Sequence, residues 1–535
     1  MEAHYPKYLL YGLLILGSWL LSSLLHFQFF HLSLSSSFSA AAHRRGAALV
    51  VLPAALDASF IAAPAVEADD DRRRSSSPEP EPSSSSSSSP SSSSCEGRYV
   101  YMVEVPSRFN VLRDCVEGSP LFDDVWSVCA ITANAGLGPK IGPAGNGSDG
   151  DGDLIPSTGW YSTDQYSLEV MVHNRMRLYE CLTEEPAAAT AVYVPYYPAL
   201  ELHQHLCGFN ATVRDGPSAA FLRWLSSQPA WAARGGRDHF LVAAKTTWMF
   251  RRRLDEAAGD KGCGNNFLDQ PAARNMTALT FESNVWAPRD FAVPYPSYFH
   301  PSSAGEVSAW QARARAAARP FLFAFAGARR PNGTLAIRDR VFEACAAAAA
   351  RGRCGMLDCS HGLEGSITCR TARKLVTLFA SARFCLQPRG DSFMRRSSID
   401  AVMAGCIPVF FHDISTFGRQ YRWHEERPAG AGEGKPYYVV MDPEEVVEGR
   451  VDIEEALSRY SDEEVAAMRE EVIRRIPRFM YKDPRVRFQG DMRDAFDVAF
   501  DKVMARMRRI NNGDELAWKD HRDVLAVVAT TDSSS

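Results

Sequence analysis

The stretch Tyr8–Phe30, YLLYGLLILGSWLLSSLLHFQFF, runs for 23 residues without Asp, Glu, Lys or Arg. At about 1.5 Å of rise per residue, a helix of that length crosses the roughly 30 Å hydrocarbon layer of a bilayer. The residues that follow, Ser33–Ser94, are rich in Ser, Pro and Ala and end in SSSPEPEPSSSSSSSPSSSS. Such a tract buries too little apolar surface to offset the entropy of ordering it. Any packed body therefore begins near Cys95. The expected layout is a short cytoplasmic tail over 1–7, a transmembrane signal anchor over 8–30 and a disordered stalk over 31–94. A cleaved signal peptide is the rival reading, because small residues at Ser39–Ala42 suit a signal peptidase; the apolar run, however, exceeds the roughly 7 to 15 residues of a signal-peptide core.

Beyond the stalk the chain carries all 12 cysteines, from Cys95 to Cys406, and four Asn-x-Ser/Thr sequons at Asn146, Asn210, Asn275 and Asn332. An even cysteine count with glycan acceptor sites suits an oxidising, glycosylating lumen. Pairing cannot be read from spacing, and Cys406, inside AGCIPVFF, reads as a buried apolar residue. A chain of 535 residues, 46% hydrophobic and 23% charged, is too long for one core, so two lobes are expected. Its formal net charge of -5 offers no broad basic field, which argues against a nucleic-acid partner.

Between Cys95 and Arg509 short apolar runs alternate with helical patterns, as in stacked βα units. Strands are expected at Tyr99–Val105, Ala191–Val194, His239–Ala243, Ala278–Phe281, Phe321–Phe325, Phe384–Gln387 and Ile407–Phe411. Helices are expected at Leu168–Leu182, Ser218–Leu225, Leu335–Ala349, Thr371–Ser381 and Arg396–Ala404. The fold class is α/β, with two Rossmann-like lobes over 95–310 and 311–510 facing a cleft, and a flexible tail over 511–535. Ligands belong at the carboxyl ends of the strands. The acidic string Gly142–Asp153, GPAGNGSDGDGD, fails as a calcium loop, since Leu154 and Trp160 stand where one starting at Asp149 needs Gly and Glu. It reads as a surface loop, and no metal site is expected.

The richest segment is Phe384–His412, FCLQPRGDSFMRRSSIDAVMAGCIPVFFH, a strand, a polar turn, a helix and a second strand. Its turn, Arg389, Gly390, Asp391 and Ser392, precedes a helix N-terminus, where a diphosphate is favoured. Arg395, Arg396 and Ser397 add donors. Asp400, one turn beyond Arg396, is a candidate for the ribose hydroxyls; the competing reading makes it an ordinary helix-surface residue.

This segment resembles the donor-binding signature of the exostosin-type transferases, glycosyltransferase family 47. The likeness extends, in collinear order from Cys95 to Arg509, through CEGRYVYMVEVPSRFN, WYSTDQYSLEVMVHNRM, AVYVPYYPALE, GRDHFLVA, NMTALTFESNVW, FAVPYPSYFHP and FLFAFAGARRPN, and is to the plant xyloglucan galactosyltransferase branch. The resemblance implies a GT-B fold, inverting transfer from a UDP-sugar such as UDP-galactose to xyloglucan, no cofactor and no required metal. It also implies single-pass type II residence in the Golgi membrane, beside other wall-synthesis glycosyltransferases. Without a metal, cations and dipoles must hold the leaving diphosphate, and the family-matching Arg330 and Arg338 are candidates alongside Arg389 and the turn backbone. Glu104 stands where the family commonly has Asp, and Arg389 occupies a variable position, so resemblance alone assigns neither.

Inversion needs a general base within hydrogen-bond reach of the acceptor hydroxyl. Glu282, His239 and Glu104 are the candidates. Trp160, Tyr161, Trp248, Trp286, Tyr295 and Tyr298 are available to stack on acceptor sugars, or to fill the core. Two alternatives stay open: another UDP-sugar or hemicellulose acceptor on the same fold, and a noncatalytic membrane-anchored carbohydrate-binding scaffold.

Overall fold

The computed structural model describes residues 95–116, 118, 127–142, 154–252, 262–283, 289–330, 336–360, 362–425, 436–515 and 517. The anchor, the stalk, most of the acidic loop, Asn146, Asn332, Trp286 and most of the tail lie outside them. Among the described residues no helix is long and apolar enough to cross a membrane. All of them belong to one compact unit, Ser88–Ser535.

Eleven described strands form two sheets. The first has the order β2-β1-β3-β4-β5-β6, from β1 (Val100–Met102), β2 (Leu182–Thr183), β3 (Ala191–Tyr193), β4 (His239–Ala243), β5 (Thr277–Thr280) and β6 (Asp290–Ala292). The second has the order β11-β10-β9-β7-β8, from β7 (Phe321–Gly327), β8 (Cys354–Asp358), β9 (Ala382–Gln387), β10 (Ile407–Phe410) and β11 (Val439–Val440). Every pairing is parallel, for example Phe240 with Thr277 and Phe384 with Ile407. Parallel sheets are covered on both faces and their strands read as unbroken apolar runs. Accordingly β3, β4 and β10 are buried throughout.

The strands change sheets between Ala292 and Phe321, and the last long helix returns to the first lobe. In helix Ala495–Asn511, opened by an Asp494/Asp497 capping box, Phe500 meets Tyr179 edge-on at 5.0 Å and Asn511 donates to the Thr190 carbonyl at 2.9 Å. Gly405 ends the helix Arg396–Met403 with φ +64°, and a Cβ there would lie 2.9 Å from Ile473. Only glycine takes that backbone freely in so tight a space.

All 12 cysteines are bonded, as 95–181, 115–129, 207–263, 345–354, 359–369 and 385–406. Cys406 is buried, as its apolar setting suggests, but it is not a free thiol: β9 and β10 are neighbours, which brings it to Cys385. Of the sequons, exposed Asn210 caps helix Ala211–Ser226 through its Oδ1, which accepts from Val213 N at 3.0 Å. Asn275 is half-buried and spends its amide on the Gly235 carbonyl at 2.8 Å.

Candidate active site

The carboxyl ends of the two sheets meet along a polar seam. On the second lobe, β9 runs out at Gln387 into the turn 388–395. Arg338, from helix Ala336–Ala349, is buried and fastens this turn: its Nε donates to the Ala328 carbonyl at 2.8 Å and its Nη1 reaches the Pro388 and Arg389 carbonyls at 3.4 and 3.5 Å. It is therefore not an exposed helix residue. Arg330 donates to Asp391 at 2.8 Å. The Arg395 guanidinium lies over Gly390, where an added Cβ would fall 1.2 Å from its Nη2, so the glycine leaves the space the guanidinium fills.

Three guanidinium groups thereby converge. Burial pulls Arg338 down to about 10, with further lowering from Arg395 and Arg330, and burial also pulls Arg395 down. The carboxylate paired with this trio, Asp391, has a side chain 58% exposed. Like charges held together, with Asp391 and, for Arg338, Asp339 as the opposing carboxylates, suit an anion. Arg389 turns away from it, its guanidinium carbon 5.5 Å from the Phe393 ring centroid and close enough to His412 to lower that imidazole further after burial has done so.

The next residues face elsewhere. Ser397 donates to Gln387 Oε1 at 2.6 Å, closing the turn upon itself. Arg396 reaches across the seam to the Thr163 carbonyl at 2.8 Å and lies over the Tyr298 ring at 3.9 Å. Asp400, only 1% exposed, accepts from Ser297 Oγ at 2.6 Å and pairs with Arg396 at 3.6 Å. The position expected to meet a ribose is therefore neither a helix-surface residue nor open to the cleft: its carboxylate is used inside the seam.

Glu282 follows β5 on the first lobe. Its Oε2 accepts the Met394 N–H at 3.1 Å, Ser392 and the Phe393 N–H lie in its field, and burial raises its carboxyl. Glu104, just past β1, is exposed at the same strand ends. His239 is a correction: it opens β4, as expected, but does not border the cleft, being 0% exposed, sharing 2.7 Å with Asp238 and meeting Trp231 edge-on. A parallel sheet puts its start and its cleft at opposite ends, so this imidazole cannot serve as the base.

Of the aromatic candidates, Trp160 is core, packed on Phe299 and Trp310. Tyr161, Tyr295 and Tyr298 are buried, Tyr295 stacking on Phe281 at 4.1 Å, and Trp248 is exposed. Sequence reasoning missed Tyr166, which lies in the field of Arg395 and Tyr295, and the buried Lys245 and Glu169 behind it. The available signal was the lysine that follows the apolar run HFLVAA directly. Among the described residues no group of three His, Cys, Asp or Glu is placed to hold a metal ion.

With this geometry in place, comparison with known proteins defines the class. The family model described as Exostosin GT47 domain matches residues 94–448, and the chain belongs to that family. It is 39% identical over 421 residues to xyloglucan galactosyltransferase MUR3 of Arabidopsis thaliana, covering 78% of this chain and 63% of that protein. To probable xyloglucan galactosyltransferase GT12 of the same plant it is 36% identical, covering 78% of each. The chain thus spans under two thirds of the length of the first of these relatives. A solved pneumococcal O-GlcNAc transferase GtfA, in complex with UDP and GlcNAc, aligns with 57% of this chain and 61% of its own at 11% identity and a TM-score of 0.28, too slight a likeness to argue from.

Proposed function

We propose that the chain is a GT-B-type inverting transferase that moves galactose from UDP-galactose onto xylosyl side chains of xyloglucan, anchored in the Golgi membrane by Tyr8–Phe30. The observation that carries this reading is the convergence of Arg330, Arg338 and Arg395 at the carboxyl ends of β7 and β9. The names of the plant relatives support the choice of sugar and acceptor. In the reaction, an acceptor hydroxyl attacks the anomeric carbon from the face opposite the diphosphate. The new C–O bond forms as the bond to phosphate breaks, and the electron pair leaves on UDP. Fixed guanidinium charges stabilise that departing charge in place of a metal ion. The hydroxyl proton passes to a carboxylate at the strand ends of the first lobe, where Glu104 is exposed and Glu282 is already engaged by the turn.

The test is a donor screen of the full-length chain with xyloglucan oligosaccharides, with and without EDTA. UDP-galactose should be the productive donor and activity should survive chelation. Loss of activity with EDTA, restored by Mn²⁺, would overturn the arginine account, and transfer from a different UDP-sugar alone would replace the donor.

A further inference from the structure

Lys245 lies two residues past the end of β4, its side chain 0% exposed. Its carbonyl accepts the Phe281 N–H at 3.3 Å, which sets it beside the end of β5 and hence beside Glu282. Its ammonium has no hydrogen-bond partner among the described residues. It sits 3.5 Å from the centroid of the Tyr166 ring. The acid that acts most strongly on it, Glu169, is raised by burial to about 8 and accepts the N–H groups of Ala199, Leu200 and Ala244 at 2.9, 3.2 and 3.0 Å. Burial lowers Lys245 to about 8, while Glu169 and Asp164 pull the other way.

An ammonium buried without hydrogen bonds costs stability, and a methionine of similar length would fill the same space without that cost. A group kept against its own stability points to function. The covering ring supplies the direction. Tyr166 is partly exposed and lies in the field of Arg395, so the ring that covers Lys245 also faces one member of the arginine trio. A hexose joined to a diphosphate at that trio must extend toward the first lobe, where the acceptor attacks.

We propose that Lys245 is a positioning residue that fixes the Tyr166 ring as the first-lobe wall of the transferred-sugar subsite. This rests on the UDP-sugar reading, since without a diphosphate at the trio no sugar is placed against Tyr166. A cation held against a ring face orients it in a way that a neutral side chain of the same volume does not.

The experiment measures UDP and UDP-galactose affinity by calorimetry, kcat and KM with xyloglucan oligosaccharide, and thermal stability, for the full-length parent, Lys245→Met, Tyr166→Phe and Tyr166→Leu. Lys245→Met should melt at or above the parent temperature and bind UDP as the parent does. It should lose about tenfold in UDP-galactose affinity or kcat, equivalent to about 1.4 kcal/mol. Tyr166→Phe, which keeps the ring, should lose less than Tyr166→Leu. The subsite is overturned if Lys245→Met weakens UDP and UDP-galactose equally, if it changes neither these affinities nor kcat, or if the two Tyr166 variants behave alike. A parent that binds neither ligand instead defeats the donor reading beneath it.

Discussion

The turn 388–395 and the helix behind it, Arg396–Met403, carry the same chemistry in opposite states. Arg395 and Arg396 are neighbours, and both are pulled down by burial. For Arg396, Tyr298, Asp400 and Asp164 outweigh that burial and hold its guanidinium above the ordinary value. For Arg395 nothing outweighs it, and the guanidinium stays low beside Arg330. Residue type is thus a poor guide within one turn of chain. A charge whose partners are already inside the protein holds the protein together, and one whose partners are missing waits for a ligand.

The largest effect should follow from removing the under-partnered charge. Arg395→Ala deletes two charge-assisted hydrogen bonds to the proposed diphosphate, each contributing about 1.5 to 3 kcal/mol. UDP affinity measured by calorimetry should fall by about 100-fold or more. The fold should survive, because no described partner loses a bond to this guanidinium. Parental affinity in a folded Arg395→Ala protein would erase the contrast between turn and helix.

Asp400→Asn should do the reverse. It leaves Arg396 buried without its carboxylate, and breaking a buried pair costs about 3 kcal/mol or more. Urea unfolding should report that loss while UDP affinity hardly moves. A large loss of UDP affinity at parental stability would instead return Asp400 to the ribose, as its sequence position suggests.

The part of the fold that was legible in the sequence follows from burial. The seven expected strands are β1, β3, β4, β5, β7, β9 and β10, all flanked by neighbours on both sides. The four that escaped notice, β2, β6, β8 and β11, are the four sheet edges. Three of these edges, such as Leu182–Thr183 and Asp290–Ala292, are two or three residues long and leave no apolar run to read, and the longer Cys354–Asp358 is only partly buried over its last three residues. The same limit applies to the site. Arg395 stood out as a cation beside a polar turn, and Arg330 and Arg338 through the family resemblance. What spends each charge is tertiary: Thr163 and Ser297 come from 233 and 103 residues away to engage Arg396 and Asp400. Lys245 went unread for a related reason, since a lysine ending a strand looks like a solvated terminus until the Tyr166 ring covers it.

The smallest effect concerns the ends of a single strand. His239 opens β4 and Ala243 closes it. At about 3.3 Å of rise per residue, the imidazole lies about 13 Å below the strand ends, where Glu282 meets the turn 388–395. A general base works within about 3 Å of the proton it takes. His239→Asn should therefore leave kcat and KM at parental values. The only cost should be structural, about 1 kcal/mol, because Asp238 loses its 2.7 Å partner while keeping Arg234 at 3.2 Å. Steady-state kinetics beside a urea melt separates the two quantities. A collapse in kcat with an unchanged melt would place His239 at the reacting hydroxyl, and so would require β4 to present its amino end to the cleft, against the parallel register it shares with β5 from Phe240 to Ala243.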